Sequence, residues 1–357
     1  MFDSQEQDNN DKGATQDAVP QRRGIVTEIA RIAGVSKSTV SRALSGSPQV
    51  SAATIKRIRK LADELSSAAE DDLTTHERFA GNVAVIAPTD AIRLQRLRHP
   101  FYVELAAAIG GQLTAHGYGM TISALPLWSD RAVEEFIKQG RLSGYIVIGH
   151  TKDSERINAI EERFGRVVTW GAQIPGQKFC TVGSENVNSS RNAIRHLLKL
   201  GRKRVLFVGS RQFLETALRY DGYKQALEEA GIAVDERLAL DVPPFDPVRA
   251  FSEIKHRIEA GLKFDSIFAT SDLLAMCCIT ACTKAGMQVP QDVSVIGFDD
   301  IKVAPFFNPP LTTVRQDIGV GAALIVEKLL RTIAGETVES EVLSTELVIR
   351  ESCGAVT

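Results

Sequence analysis

The 357-residue chain has no run of roughly eighteen apolar residues, the length a helix needs to cross a bilayer, so a helical membrane protein is excluded. Its opening stretch, MFDSQEQDNNDKGATQD, lacks the apolar segment of a secretory signal, and a cytoplasmic location is expected. Cysteine is scarce. Cys180, Cys277, Cys278, Cys282 and Cys353 are odd in number and follow no framework spacing, which argues against a disulfide-stapled secreted domain. Cys277, Cys278 and Cys282 crowd into the apolar stretch MCCITAC with no histidine nearby, so they read as buried structural thiols; no metal and no other cofactor is expected. Catalytic patterns are missing too: there is no Ser/His/Asp constellation, metal-ligand spacing or phosphate loop. Asp299-Asp300 looks like an acid/base pair, but neighbours on an extended strand point to opposite sides. No catalytic residue is assigned, and an enzyme is not expected.

Apolar residues do make up 44% of the chain, enough for real cores, and the length suits two or three domains. The net charge of −2 hides an asymmetry. Between Gln21 and Glu64 nine basic residues face only three acidic ones, +6 in a short segment, which suits a phosphate backbone. Residues 1–23 lack apolar periodicity and read as a disordered tail. Residues 24–65 then show three short amphipathic helices. Ile29, Ala30 and Ala33 line one face before Gly34 breaks the helix; Ser36 caps a second helix with Val40 and Leu44 inward; Ser51 caps a third with Ile55, Ile58, Leu61 and Leu65 inward. This spacing suits a helix-turn-helix, whose second helix enters the major groove, or a small helical bundle whose polar residues merely face water. In the helix-turn-helix, Lys37, Ser38 and Arg42 stand on the second helix's groove-facing start to read base edges, and the hydroxyls of Thr39, Ser41 and Ser45 suit phosphates.

Residues 66–81 form a polar, partly acidic connector. From 82 to 357 apolar strands alternate with helical patterns: VAVIAP, GMTISAL, YIVIG, VVTWG, CTVG, VLFVG, IFATS and VSVIGF, with helices such as 101–116, 130–139 and 153–164 between them. Continuous Val/Ile runs of this kind are buried parallel strands of doubly wound sheets. There are too many for one sheet, so two α/β lobes facing a cleft are expected, lobe 1 near 82–181 and 315–340 and lobe 2 near 182–312 and 341–353. Ligands of such folds bind beyond strand C-termini. Phe101, Tyr102, Trp170 and Asp299 stand there, aromatic faces and a carboxylate of the kind a sugar requires, although Phe101 or Tyr102 equally suits the core and Asp299 the capping of a loop.

The stretch VTEIARIAGVSKSTVSRALSGSPQVSAATIKRI resembles the DNA-binding domain of the LacI/GalR family of bacterial repressors. HLLKLGRKRVLFVGS, RYDGYKQALEEAG, SDLLA, GMQVPQDVSVIGFDD, PPLTTVRQD and ELVIRES are similar to the same family's periplasmic-binding-protein-like domain. The resemblance covers roughly residues 25–65 and 83–352. It implies a regulator, expected to be a repressor, that binds a near-palindromic operator as a homodimer under allosteric control by a small effector. It puts Lys37, Ser38 and Arg42 on base-reading positions and Thr27, Ser36, Thr39, Ser41, Ser45 and Gln49 on backbone-contacting ones. In the cleft it puts Arg219 on the effector-binding arginine, Asp299 on the cleft aspartate and Phe245 on an aromatic that packs on the effector. Gln316 follows the Leu-Thr-Thr strand, and Asp272 stands in the family's Asn-Asp motif with Ser271 replacing the asparagine. Trp170 lies near where many members carry an acid.

One segment departs from the family. The hinge helix normally carries Pro-Asn and a leucine that wedges into the minor groove, whereas this connector reads EDDLTTHE around Leu73. Its acids repel phosphates, so less operator bending is expected. A sugar or sugar derivative is the expected effector, with a purine or other small metabolite as the alternative; a sugar-binding protein without regulatory role is the competing class.

Overall fold

The computed structural model describes residues 29–44, 49–51, 53–62, 80–86, 99–123, 142–149, 155–243 and 245–355. They fall into two compact units, Met1–Arg78 and Phe79–Thr357. The tail 1–23, Thr27, Ser45, connector residues 66–79 with Leu73, and the expected helix 130–139 lie outside the described residues.

In the first unit three helical segments, α1 (29–33), α2 (Lys37–Leu44) and α3 (53–62), close on a small core. Ile29, Ala30, Ala33, Val40, Ala43 and Ile58 are buried there, with Ile55 and Leu61 packed partly against them. Gly34 takes φ +62, the left-handed turn that ends α1, and Val35 N–H reaches back to the Ala30 carbonyl at 3.1 Å. Both expected caps are present: the amides of Thr39 and Thr54 donate to Ser36 Oγ and Ser51 Oγ, each at 3.2 Å. Leu44 corrects the expected pattern. It is 40% exposed while Ala43 is fully buried, because the inward stripe of α2 advances by three residues from Val40 rather than four.

The second unit holds two six-stranded sheets. The first has the order β11-β5-β4-β3-β1-β2, all parallel, with β1 Gly81–Ile86, β2 Tyr118–Ser123, β3 Leu142–Ile148, β4 Val167–Trp170, β5 Cys180–Ser184 and β11 Glu341–Leu343. The second has the order β12-β10-β9-β8-β6-β7, with β6 Val205–Val208, β7 Ala239–Leu240, β8 Ser266–Ala269, β9 Ser294–Asp299, β10 Thr312–Arg315 and β12 Glu346–Val348, the last antiparallel to β10. Crossover helices fill the faces: α4 (Pro100–Ala115), α5 (Glu155–Phe164) and α10 (Ile318–Ile333) in lobe 1; α6 (Asn186–Lys199), α7 (Leu214–Glu229), α8 (Pro247–Glu259) and α9 (Asp272–Lys284) in lobe 2.

Successive strand residues serve opposite faces. In lobe 2, Phe207, Phe268, Ile296 and Phe298 pack against Tyr220, Tyr223 and Leu227 of α7, while Leu206, Val208, Ile267 and Val295 face the other way, toward Leu274, Cys278 and Cys282 of α9. Burial pushes the Cys278 thiol well up and that of Cys282 to about 12, so both are inert packing groups. The chain passes between the lobes three times, after β5, β10 and β11. The lobe bounds expected at 181 and 340 cut into structure: β5 runs on to Ser184, and β11 pairs with it, Leu343 opposite Ser184, so both strands belong to the first sheet.

Candidate functional site

On α2 the side chains of Lys37, Ser38, Ser41 and Arg42 are exposed, and Gln49 beyond the helix is exposed as well. Lys37 with Ser41, and Ser38 with Arg42, are pairs four residues apart and so share adjacent strips of one surface. Ser36 Oγ lies 2.8 Å from both Ser38 Oγ and Thr39 Oγ1, a knot of hydroxyls at the helix N-terminus where backbone amides also point outward. The arrangement offers two cations, several hydroxyls and a helix N-terminus on one face of the first unit.

In the second unit a cleft enclosing about 540 Å³ out to its mouth opens where strands of both lobes end. Seven of the eight expected residues line it: Phe101, Tyr102, Trp170, Arg219, Phe245, Asp299 and Gln316. Aromatics form a continuous wall. Trp170 packs on Phe101 (ring centroids 5.8 Å apart), Phe101 on Tyr102 (5.4 Å), Tyr102 on Phe245 (5.9 Å) and Phe245 on Phe213 (5.6 Å). Only 6% of the chain is aromatic, so this concentration is a feature of the site, not of the composition. Gly321 on α10 sits so close to Trp170 that a Cβ there would lie 2.5 Å from the indole, which makes the tight seating of the ring depend on glycine.

Arg219 enters from α7. It donates to Asn186 Oδ1 at 2.8 Å and to the Thr270 carbonyl at 2.6 Å, and its guanidinium lies 3.5 Å from the centre of the Phe298 ring. Burial lowers its pKa and the neighbouring Asp299 raises it. Asp299 accepts from Gln316 Nε2 at 2.7 Å. Burial pushes its carboxyl up to about 7, against the pull of Arg219 and Gln316. Asp299 and Asp300 take φ +121 and +57, and this kink parts the two acids. Asp299 turns into the cleft, while Asp300 binds Arg315 and Arg350, each at 2.7 Å.

Asp272 is the exception. Fully buried, it accepts from Thr313 Oγ1 at 2.5 Å and the Ile301 amide at 2.8 Å and does not line the cleft. Gly297 permits this, since a Cβ there would meet Asp272 Oδ1 at 2.3 Å. Its carboxylate therefore braces the wall behind Asp299. The neighbouring Ser271, where the family has asparagine, does line the cleft while capping α9 through the Leu274 amide.

Sequence reasoning missed His99, Ser184, Asn186, Phe213, Glu215, Thr216 and Thr270, which line the same cleft. Ser184 and Thr270 end or follow β5 and β8, so the strand-end rule reaches them; nothing in the local sequence marks His99 or Phe213. Among the described residues no group of His, Cys, Asp or Glu could hold a metal ion. Nor, among those residues, is any helix long and apolar enough to cross a membrane.

A three-helix unit of helix-turn-helix form and a two-lobed α/β unit with a cleft are together the build of a DNA-binding transcription regulator. Residues 26–66 match the lacI family of bacterial regulatory proteins and residues 194–353 the periplasmic binding protein-like domain, together more than half of the chain. The regulator CelR of Thermobifida fusca is 28% identical over 93% of this chain and 99% of its own length. MalR of Clostridium butyricum is 28% identical over 92% and 98%. Among solved structures, the complex of CelR with cellobiose superposes with a TM-score of 0.68 at 26% identity, covering 92% of this chain and 99% of that one. A LacI family regulator from Lactobacillus casei with bound sucrose gives 0.66 at 25% identity, over 76% and 100%. The chain belongs to the LacI family of transcription regulators and is not an enzyme.

Proposed function

We propose that the protein is a repressor that binds a near-palindromic operator as a homodimer and responds to a sugar held in the cleft. Lys37, Ser38 and Arg42 read base edges, with Ser36, Thr39, Ser41, Gln49, Thr27 and Ser45 on the backbone. The observation that carries the effector reading is the cleft itself: an aromatic wall faces Arg219, Asp299 and Gln316, which is what a sugar needs for its C–H face and its hydroxyls. The cellobiose and sucrose bound by the two similar regulators point the same way. Two copies suit the two half-sites of a palindrome. Apolar surface for pairing is available: Phe306 is 86% and Val303 54% exposed, and Lys302 beside them reaches Glu104 of α4, where Val103 is 51% exposed.

Control follows from linkage. If the sugar and the operator favour different closures of the cleft, each weakens the other's binding by the same factor, and a tenfold effect needs only about 1.4 kcal/mol. The test is operator binding by gel shift with and without sugars, beside transcription in vitro from a promoter overlapping the operator. Salt-sensitive, sequence-specific binding that silences transcription and changes with a neutral sugar is expected. Activation by the bound protein would refute the repressor reading, and a response to purines alone would refute the sugar.

A further inference from the structure

Six buried side-chain polar atoms have no hydrogen-bond partner among the described residues, and three of them line the cleft: both ring nitrogens of His99 and Ser184 Oγ. Such atoms are rare in folded proteins and need an explanation. His99 is 4% exposed, at the head of α4, with its ring edge-on to Tyr102 (5.8 Å) and Phe245 (5.7 Å). Ser184 ends β5 and is 6% exposed. Both belong to lobe 1. The polar groups on the opposite side are already paired within the protein, Arg219 with Asn186 and Thr270, Asp299 with Gln316. The cleft thus has polar groups fixed on one wall, while His99 and Ser184 on the other have no partner among the described residues.

We infer that His99 and Ser184 are hydrogen-bonding residues for the cleft's occupant, and that they select uncharged, hydroxyl-bearing molecules. The chemistry of the two groups is the reason. Burial, with help from Arg219, holds the His99 pKa near 4, so the imidazole is neutral, with one N–H donor and one acceptor nitrogen. A serine hydroxyl likewise donates and accepts. A carboxylate or phosphate can only accept and a cation can only donate, so either leaves one histidine nitrogen orphaned. Hydroxyl groups do both. The occupant docks on the prearranged lobe 2 set, and lobe 1 reads its hydroxyls as the cleft closes. The inference rests on the reading of the cleft as the effector site.

The test uses the full chain carrying His99→Phe, His99→Gln or Ser184→Ala. Without ligand, His99→Phe and Ser184→Ala are expected to melt at or above the wild-type temperature, because each removes polar atoms that have no hydrogen-bond partner among the described residues. Calorimetry with cellobiose, maltose and sucrose should show affinity for whichever sugar the wild type binds falling roughly tenfold to a hundredfold in His99→Phe, with much of it restored in His99→Gln. Monodeoxy forms of that sugar refine the point: the penalty for one missing hydroxyl should vanish in His99→Phe. A drop of more than about 3 °C in unliganded His99→Phe would mean that the imidazole is paired inside the protein, and would overturn the inference. So would unchanged affinity. If the wild type binds none of the sugars, the sugar reading fails, while unliganded melting still decides whether the two residues are spare.

Discussion

The DNA-reading unit and the cleft domain use polar residues in opposite ways. On α2 most of the groups assigned to DNA stand exposed on the outside of a small core, within one helix. In the cleft Arg219, Asp299 and Gln316 are buried and come together from three separate elements. Exposed charges work by long-range attraction and are cheap to fold, whereas buried ones must be prearranged and paired. Truncating the exposed base-reading side chains of the first region should therefore cost function without stability, whereas truncation in the second should couple the two.

The largest effect is expected from Arg219→Ala, which removes two hydrogen bonds and a cation over Phe298. Effector affinity should fall by a factor of a hundred or more, about 3 kcal/mol, with operator binding preserved. Calorimetry finding normal effector affinity would break the comparison. Next come Lys37→Ala and Arg42→Ala, each expected to weaken the operator by about 1–3 kcal/mol and to leave effector binding unchanged in the same calorimetric assay.

A smaller, pH-dependent effect separates the buried site further. The Asp299 pKa is raised to about 7 in the folded protein, so the folded form binds its proton more tightly than the unfolded one. This contribution to stability is complete below pH 4 and lost as pH rises through about 7. Asp299→Asn should therefore gain melting temperature relative to wild type between pH 5 and pH 8; a gap independent of pH would mean that Asp299 is ionised at no cost. The smallest effect is Ser36→Ala, which should cost about 1 kcal/mol of the first unit's stability through the lost cap, with the melting of the cleft domain unmoved.

Legibility in the sequence followed the same division. The helices around Gly34, Ser36 and Ser51 are readable because caps and the left-handed turn are local chemistry, whereas the phase at Ala43 and Leu44 is not. Periodicity cannot distinguish a three-residue from a four-residue step on so short a helix. The strands of both sheets were readable as apolar runs, but their allocation to lobes at Ser184 and Leu343 was not, since it depends on a pairing between segments about 160 residues apart. In the cleft, resemblance reached Arg219 and Phe245. It could not distinguish Asp272, spent on Thr313 and Ile301, from Asp299, which is open to the cavity.

By itself the sequence determined the basic helix-turn-helix, the parallel α/β architecture and the residue types that a ligand-controlled regulator needs, because each is written in local spacing or charge. Tertiary structure alone decided which polar groups face the cleft. A carboxylate's role depends on what lies within 3 Å of it, and the partners of Asp272, Asp299 and Arg219 arrive from other strands and helices. His99 shows this most plainly: in sequence it is a lone histidine before a proline, and only the fold leaves its two nitrogens without a partner among the described residues at the wall of a cavity.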